Sequence, residues 1–512
     1  MSNVIPKHKQ EPGDIVPSSD SVLAKLGINP AEIKSVNPRS KRRHYRAVIN
    51  WLKYYQPGPD TPTIVQIRGC LEAFHHLCEV EAWDKAAEIL GGGAMVKVTL
   101  NTTDSSEETS SLEELHNQLG ILGYYPQQIE LYQRIFGKVD AELDTLCLNG
   151  LGLAYRHLGN NQKAINYHQQ QLELARDLGA QDSVGNALCN LGNIYAFLGQ
   201  YPQATQYYQQ SLAVAREISD HQGEGKVLGN LGLVCRLTGD FAQAIQFHVQ
   251  HLEVAQEIDD REGLRNALEN LGVIYYLLGD YQQALDHFQQ SLLMAGAVAN
   301  TTDEAITLGS LGNVYYALQD YSTAVNYHQQ QLELSREIGY LEGVEKALGN
   351  LGSDHHALGQ YDRAVEYHQQ KLVLARQLGD QEGEAATLTN LGNTYVSLEK
   401  YEDGIEHHKQ SLGISISISD HFASATAIFN LGDAYRLLKE FDQAVLLLMR
   451  SLYLFNCLNS PHQETAMLIL SNIAWEIGID VYADLLEDKL QVIEQEGNDQ
   501  EVAKLRELLF EN

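Results

Sequence analysis

Asparagine side chains recur every 40 residues through most of this chain, and they are the strongest candidates for binding chemistry. One column precedes a Leu-Gly pair, at Asn190, Asn230, Asn270, Asn350, Asn390 and Asn430. Three more asparagines lie one helical turn further on, at Asn193, Asn313 and Asn393. An amide side chain donates and accepts hydrogen bonds at once. A ladder of amides on one face would therefore hold the backbone of an extended peptide whatever the sequence of that peptide.

Charged residues accompany the asparagines on the same predicted helices: Lys226, Arg236, Glu269, Lys346, Asp433 and Arg436. If the asparagines bind a peptide, these charges would fix its register. The alternative interpretation is that the asparagines bond the backbone of the adjacent repeat and are purely structural. The sequence leaves both interpretations open.

Histidines form a second column, at His168, His248, His328, His368 and His408. Such a column suggests metal binding or pH sensing. However, packed helices lie roughly 8–10 Å apart, so these side chains are too far apart to share a zinc ion with bonds of about 2 Å. Because Tyr208 and Phe288 occupy the same column, we expect an aromatic packing role and no cofactor.

The remaining motifs give no indication of catalysis. The sequence lacks a P-loop, a G-x-S-x-G elbow, an H-E-x-x-H pair and a dinucleotide-binding fingerprint. Cys70 and Cys78 flank His75 and His76, but eight helical residues separate the two thiols by about 12 Å. We therefore expect neither an enzyme nor a metal site here.

Paired helices must position these side chains. In the unit 185–224, Leu188, Leu191 and Tyr195 recur at helical spacing, a Gly-Gln turn follows at 199–200, and a second helix begins near Tyr201. Eight such units run from about 145 to 464. A fixed period of this length predicts one helix–turn–helix unit that is copied and stacked into a solenoid.

Two motifs carry a family resemblance, Leu191-Gly192-Asn193-Ile194-Tyr195 and Gly199-Gln200-Tyr201-Pro202-Gln203-Ala204. They resemble the tetratricopeptide repeat, although the usual unit of about 34 residues is shorter and closes with a proline. The 40-residue form is similar to repeats of Pins-type adaptors, kinesin light chains and bacterial, including cyanobacterial, arrays. The resemblance covers residues 145–464. It implies an all-α, right-handed superhelical solenoid whose first helices line a concave groove.

The same resemblance implies a function. We expect a protein–protein interaction scaffold that binds a peptide or helical segment of a partner in the groove. The alternative is a regulatory or sensor arm of a bacterial signalling or defence system, acting on an effector on another chain. A sensor changes shape when its ligand binds and a scaffold does not, so scattering with and without the partner would distinguish the two.

Regions outside the array are less regular. Residues 1–37 contain Pro6, Pro12, Pro17 and Pro30, and we expect this segment to be disordered. Residues 38–90 predict a helical N-terminal region, 91–111 a linker rich in Gly, Ser, Thr and acids, and 112–144 a degenerate repeat. Residues 465–512 predict capping helices with a polar outer face, which a solenoid needs at its end.

Within the N-terminal region, residues 39–55 predict a basic amphipathic helix. Tyr45, Val48, Ile49 and Leu52 recur at helical spacing, and the segment contains no acid. The helix could bind nucleic acid, dock a partner or an anionic surface, or pack by its apolar face as an N-terminal cap. A further hypothesis is that this arm occupies the groove and competes with the partner. Deleting residues 1–60 and measuring partner affinity tests that hypothesis.

Composition limits the remaining functional classes. The formal net charge of −31 disfavours nucleic acid and membrane surfaces and would steer a basic partner segment toward the protein. No apolar run approaches the roughly 20 residues of a membrane span, and the N-terminal residues lack the apolar region of a secretory signal. Six scattered cysteines indicate free thiols in a reducing compartment. We expect a cytoplasmic protein, and the oligomeric state is left open.

Overall fold

The computed structural model describes residues 19–55, 57–58, 61–91, 96–97, 112–113, 115–298 and 301–510. Within these ranges the fold is all-α, as predicted, apart from one pair of two-residue antiparallel strands, β1 (Val96–Lys97) and β2 (Leu112–Glu113). The chain divides into two compact units, Met1–Asn270 and Leu271–Asn512, here named the first unit and the second unit.

The first unit opens with short helices that build their own core. They are α1 (Ser19–Lys25), a 3-10 helix (Pro30–Ser35), α2 (Arg39–Lys53), α3 (Thr63–Gln66), α4 (Arg68–Cys78), α5 (Trp83–Gly91), α6 (Leu115–Ile121) and α7 (Tyr125–Ile135). Helix α2 packs on α4 and buries Val48 and Ile49, while Arg39, Arg43 and Arg46 are exposed.

The structure differs from the expected disorder of residues 1–37 in the part that it describes. Val22, Leu23, Leu26 and Ile28 are buried in the same core as α2 and α4. Their apolar spacing outweighs the prolines, and Pro30 begins its 3-10 helix at a position that suits proline. Residues 1–18 and most of the predicted linker 91–111 lie outside the described residues.

The regular array consists of eight helix pairs, with a first and a second helix in each. The pairs of the first unit are α8 (Ala141–His157) with α9 (Asn161–Leu178), α10 (Gln181–Phe197) with α11 (Tyr201–Glu217), and α12 (His221–Leu237) with α13 (Phe241–Glu257). The array begins at Ala141 rather than near 145, because the Asp140 carboxylate caps α8 by accepting from the Leu143 backbone N–H at 2.8 Å.

The boundary between the units falls within α14 (Arg261–Leu277). The second unit continues with α15 (Tyr281–Val298), α16 (Thr301–Ala317), α17 (Tyr321–Glu337), α18 (Leu341–Ala357), α19 (Tyr361–Leu378), α20 (Gln381–Ser397), α21 (Tyr401–Ser417), α22 (His421–Leu437) and α23 (Phe441–Cys457). It ends with α24 (His462–Ile477), α25 (Ile479–Gln495) and α26 (Asp499–Phe510).

A close approach between ring and glycine packs seven of the eight helix pairs, and in the pair of α22 with α23 Gly432 meets Leu448 instead. A Cβ atom added to Gly232 would lie 2.4 Å from His248 Nε2, and one added to Gly392 would lie 2.4 Å from His408 Cε1. Both distances are shorter than real atoms allow, so glycine makes room for the ring of the second helix. Tyrosines also stack between the helices of a pair: the rings of Tyr195 in α10 and Tyr207 in α11 lie 5.4 Å apart and nearly parallel.

The C-terminal helices differ from the expected polar cap. Their inner faces are apolar, with Leu470, Ile473 and Leu490 buried. However, Trp475 is 91% exposed and Ile479 is 78% exposed, so the surface of α24 and α25 carries large apolar groups as well as acids. No helix in the described part of the chain combines the length and apolarity needed to cross a membrane.

Candidate functional site

The first helices of consecutive pairs contact one another within each unit, and their outward side chains form a continuous surface in each. We call this surface the first-helix face, formed by α8, α10 and α12 in the first unit and by α16, α18, α20 and α22 in the second. Five members of the predicted asparagine column lie on it, and the sixth, Asn270, lies on α14. All six members are half-buried: Asn190, Asn230, Asn270, Asn350, Asn390 and Asn430.

In the first unit the asparagine amides bond to each other across helices. Asn190 Nδ2 donates to Asn149 Oδ1 at 3.0 Å, and Asn230 Nδ2 donates to Asn193 Oδ1, also at 3.0 Å. The Tyr208 hydroxyl donates to the same Asn193 oxygen at 2.7 Å. These amides link α8 to α10 and α10 to α12, so their hydrogen bonds support the structural interpretation in this unit. The partners are side chains, whereas the expected partner was backbone.

The last asparagine of the column in the first unit also has a hydrogen-bond partner. Asn270 Nδ2 donates to the Asn266 backbone carbonyl one turn earlier in α14, at 2.8 Å. In the second unit, Asn350 Nδ2 lies 3.2 Å from both Asn313 Oδ1 and His328 Nε2. At these positions a peptide would have to replace hydrogen bonds that already exist.

The asparagines of α20 and α22 are different. The side chains of Asn390, Asn393 and Asn430 form no hydrogen bond with any described residue. Asn393 is exposed, and the other two are half-buried on the first-helix face. Of the predicted amide ladder, these three groups are therefore the ones available to a ligand.

The charged residues that were predicted to accompany the asparagines differ in their interaction partners. Lys346 pairs with Glu342 at 2.7 Å, with both side chains largely exposed. Arg436 pairs with Asp433 at 2.7 Å and with Glu476 at 3.5 Å. Glu269 has a partner as well. In the first unit Lys226 is exposed, and the buried Arg236 Nε has no hydrogen-bond partner in the described structure.

The histidine column is buried in both units. Burial lowers the pKa of His168, His248, His368 and His408 to about 4, since the charged ring loses its water. Both ring nitrogens of His248 are without a hydrogen-bond partner among the described residues. These rings are therefore neutral at pH 7, and their packing against glycine accounts for the column. In the described part of the chain, no group of three His, Cys, Asp or Glu side chains could hold a metal ion.

His328 is the exception in this column. His328 Nδ1 lies 2.7 Å from Asp354 Oδ2, and both side chains are almost completely buried. Asp354 takes the position that Ile194 and Val314 hold in other repeats. A polar residue at a position that is apolar in other repeats is a signal from which this pair could have been found in the sequence.

Sequence reasoning also missed an exposed apolar surface beside α22. Phe422 is 48% exposed and Leu468 is 61% exposed, in addition to Trp475. Leu468 and Trp475 are seven residues apart on α24, which places them on one side of the helix. The spacing was visible in the sequence, but nothing there showed whether this side of α24 faces a neighbouring helix or solvent.

Family comparison agrees with this architecture. The tetratricopeptide repeat model matches residues 144–217, 223–297, 303–377, 344–415 and 383–455, which is more than half of the chain. The chain therefore belongs to the tetratricopeptide repeat family. Among curated proteins, none matches the sequence.

Solved structures share the fold at low sequence identity. A signal transduction ATPase with numerous domains and a tetratricopeptide repeat sensor, from Pyrococcus horikoshii, is similar with a TM-score of 0.52 and 12% identity, covering 89% of this chain and 66% of that one. The apo form of the quorum sensor NprR from B. thuringiensis has a TM-score of 0.47 and 16% identity, covering 66% and 96%. Aspartyl phosphate phosphatase F from Bacillus subtilis has a TM-score of 0.46 and 16% identity, covering 66% and 91%. At these identities the similarity concerns the fold alone.

Proposed function

We propose that this protein is an interaction scaffold that binds an extended peptide segment of a partner on the first-helix face of α20 and α22. One observation carries the proposal: Asn390, Asn393 and Asn430 leave their amide groups without hydrogen bonds to any described residue. A half-buried amide gains from a partner, because its polar atoms are partly removed from water. The backbone of an extended peptide supplies donors and acceptors at regular spacing.

The surroundings of these amides support a peptide rather than a small molecule. Ala386 and Thr389 precede Asn390 in α20, Phe429 precedes Asn430 in α22, and Phe422 is exposed at the start of α22, so small or apolar residues adjoin the asparagines in sequence. Apolar side chains of a peptide could pack here while its backbone bonds the amides. Peptide-binding surfaces commonly combine backbone hydrogen bonds with shallow apolar contacts for side chains.

Selection from a displayed peptide library tests the proposal. The wild-type protein is the bait, and the matched variant carries Asn390→Ala, Asn393→Ala and Asn430→Ala. The control variant carries Asn190→Ala and Asn230→Ala, which remove amides that are already bonded to protein groups. We expect selected peptides to bind the triple variant at least about tenfold more weakly, as the loss of one to two hydrogen bonds implies, and to bind the control as tightly as the wild type. Equal affinity for the triple variant and the wild type would exclude this site.

The regulatory role stays a prediction, and small-angle scattering of the protein with and without a selected peptide examines it. A sensor arm acting on a separate effector requires that the ligand favours one of two conformations. A change in the radius of gyration would favour the sensor, and an unchanged value would favour a scaffold.

A further inference from the structure

The first-helix face of the second unit continues onto α24. The buried residues of α24 are Ala466, Leu470 and Ile473. They repeat the spacing of three buried residues of α22, namely Ala427, Leu431 and Ala434. With this register, Asn472 follows Asn393 and Asp433 in one column, and Trp475 takes the position of Arg436. Helices α22 and α24 are in contact, and Arg436 reaches Glu476 at 3.5 Å.

Large apolar side chains are exposed to solvent where the first-helix face continues onto α24. Trp475 is 91% exposed, Ile479 is 78% exposed and Leu468 is 61% exposed. The spacing of seven residues keeps Leu468 and Trp475 on one side of α24, and Ile479 begins α25 directly after the helix break at Gly478. Exposed apolar residues that cluster in this way mark an interaction surface more often than isolated ones do.

The charge around these residues is negative. Helices α20, α22 and α24 contain the acids Glu382, Glu384, Asp433, Glu464 and Glu476. Arg436 is the single Lys or Arg in these three helices, and its guanidinium already pairs with Asp433 and Glu476. Asp480 adds another exposed acid next to Ile479. A ligand that reaches Trp475 therefore meets a negative potential without a free cation in the three helices.

We propose that Trp475 holds a lysine or arginine side chain of the bound peptide over its indole face, with Leu468 and Ile479 contacting apolar residues on either side of that cation. The proposal rests on the peptide site proposed above and assigns its partner class: a segment that combines cationic and apolar residues. Tryptophan is the best aromatic partner for a cation, and the acids attract the cation from solution.

Three 12-residue peptides test the assignment directly. One alternates leucine with glutamine and carries a single arginine at its centre, the second replaces that arginine by glutamine, and the third replaces it by glutamate. Calorimetry at low and high salt measures their binding to the full-length protein. We expect the arginine peptide to bind the wild type about tenfold more tightly than the glutamine peptide, a ratio typical of one desolvated cation–π contact, and the glutamate peptide to bind most weakly. Failure of the arginine peptide to bind the wild type would overturn the assignment.

Variants separate the tryptophan from general attraction by acids. Trp475→Ala should remove most of the tenfold preference, and Trp475→Phe should retain part of it. Phe197→Ala is the matched control, because Phe197 is an exposed aromatic residue at the end of a first helix in the first unit, with 72% exposure. An unchanged preference in Trp475→Ala would refute the proposal. The exposed position means that the thermal midpoint should not change, which circular dichroism verifies.

The same peptides distinguish failure of this proposal from failure of the peptide site itself. Replacing Asn390 and Asn430 by alanine should weaken the arginine and glutamine peptides by the same factor, because backbone contacts do not depend on side-chain charge. Trp475→Ala should change the ratio between them. If the asparagine variants bind normally while Trp475→Ala removes the preference, the cation site stands and the asparagine site fails. If the asparagine variants weaken binding while Trp475→Ala leaves the preference unchanged, the cation site fails and the asparagine site stands.

Discussion

Asn190 and Asn230 of the first unit hydrogen bond to asparagines of the preceding helix pair, whereas Asn390 and Asn430 of the second unit bond to no described residue. The same residue at the same position in the repeat therefore stabilises one region and is available for binding in another. In the first unit Asn149 and Asn193 supply the carbonyl oxygens, whereas Asn393, which precedes Asn430 by the same 37 residues that separate Asn193 from Asn230, forms no such bond. A repeated residue is thus no evidence of a repeated role.

The two units also differ in charge on their first helices. Helices α10 and α12 carry Asp182, Glu224, Lys226 and Arg236, with equal numbers of acids and bases, while α20 and α22 carry three acids and Arg436. Unpaired amides and surplus acids therefore occur in the same region of the second unit.

Acid should destabilise both units through the buried histidines. The folded-state pKa of His168, His248, His368 and His408 is about 4, below the unfolded value of about 6.5. The stability that neutral histidine provides is therefore present above pH 6.5 and is lost as the pH falls toward 4. Each ring accounts for about 3 kcal/mol over this range. Urea denaturation at several pH values measures the loss.

The variant His248→Phe isolates one ring from the carboxylates that titrate in the same range. Phe288 holds this position in another pair, so phenylalanine fits the space against glycine. The difference between wild type and variant should grow by about 3 kcal/mol from pH 7 to pH 4. A difference that does not depend on pH would mean that His248 is not buried as a neutral ring.

At pH 7, His328→Phe should reduce the free energy of unfolding much more than His248→Phe does. His328→Phe leaves the buried carboxylate of Asp354 without its partner at 2.7 Å, and we expect a loss of about 3 kcal/mol at pH 7. His248→Phe should change stability by less than about 1 kcal/mol, because its ring nitrogens have no partners to lose. Denaturant titration compares the two variants.

A double variant checks the cause of that loss. His328→Phe combined with Asp354→Val restores an apolar pair, as in the repeat where Val314 occupies the equivalent position. Stability should return to within about 1 kcal/mol of the wild type. If the double variant is as unstable as the single one, packing rather than the unpaired carboxylate explains the effect.

The asparagines themselves should differ according to whether their amides are already hydrogen bonded. Asn230→Ala removes the bond to Asn193 and should cost about 1 kcal/mol. Asn390→Ala and Asn430→Ala remove amides without bonds and should change stability by less than about 0.5 kcal/mol. Thermal and urea denaturation measure all three. Equal losses at the three positions would contradict the distinction between paired and unpaired amides.

A further prediction concerns the ends of the first helices. In the first unit these ends are glycines such as Gly239, at φ 81°, whereas the second unit combines glycines such as Gly359 with Lys439, which adopts the same left-handed conformation at φ 61°. Lys439→Gly should stabilise the protein by about 1 kcal/mol, because only glycine adopts this conformation without steric cost. Gly239→Ala should destabilise it by a similar amount. The midpoint of urea denaturation reports both changes.

Repeat spacing predicted the helix pairs because each pair depends on local periodicity. Gly232 and His248 recur 16 residues apart in most repeats, and that spacing matches one helix, one turn and part of a second helix. The asparagine hydrogen bonds could not be predicted, since they join residues 37 or 41 positions apart. Whether such side chains meet depends on the distance between helices of neighbouring repeats, which local spacing does not determine.

The exposed side of α24 shows the same limit. Leu468 and Trp475 have the spacing of a buried helix face, and a further helix packed there would have covered them. The structure instead places α25 against Leu470 and Ile473 and leaves Trp475 exposed. The local sequence pattern therefore identified an apolar side of α24, whereas the packing of the neighbouring helices determines which side of α24 faces solvent.

Hydrogen–deuterium exchange with a selected peptide tests the central claim, that the unpaired amides of the second unit form the binding site. We expect slower exchange on peptide addition in α20, α22 and α24, and unchanged exchange in α10 and α12. Protection in α10 and α12 with none in α20 and α22 would contradict the claim, because the paired asparagines would then be the ones that bind.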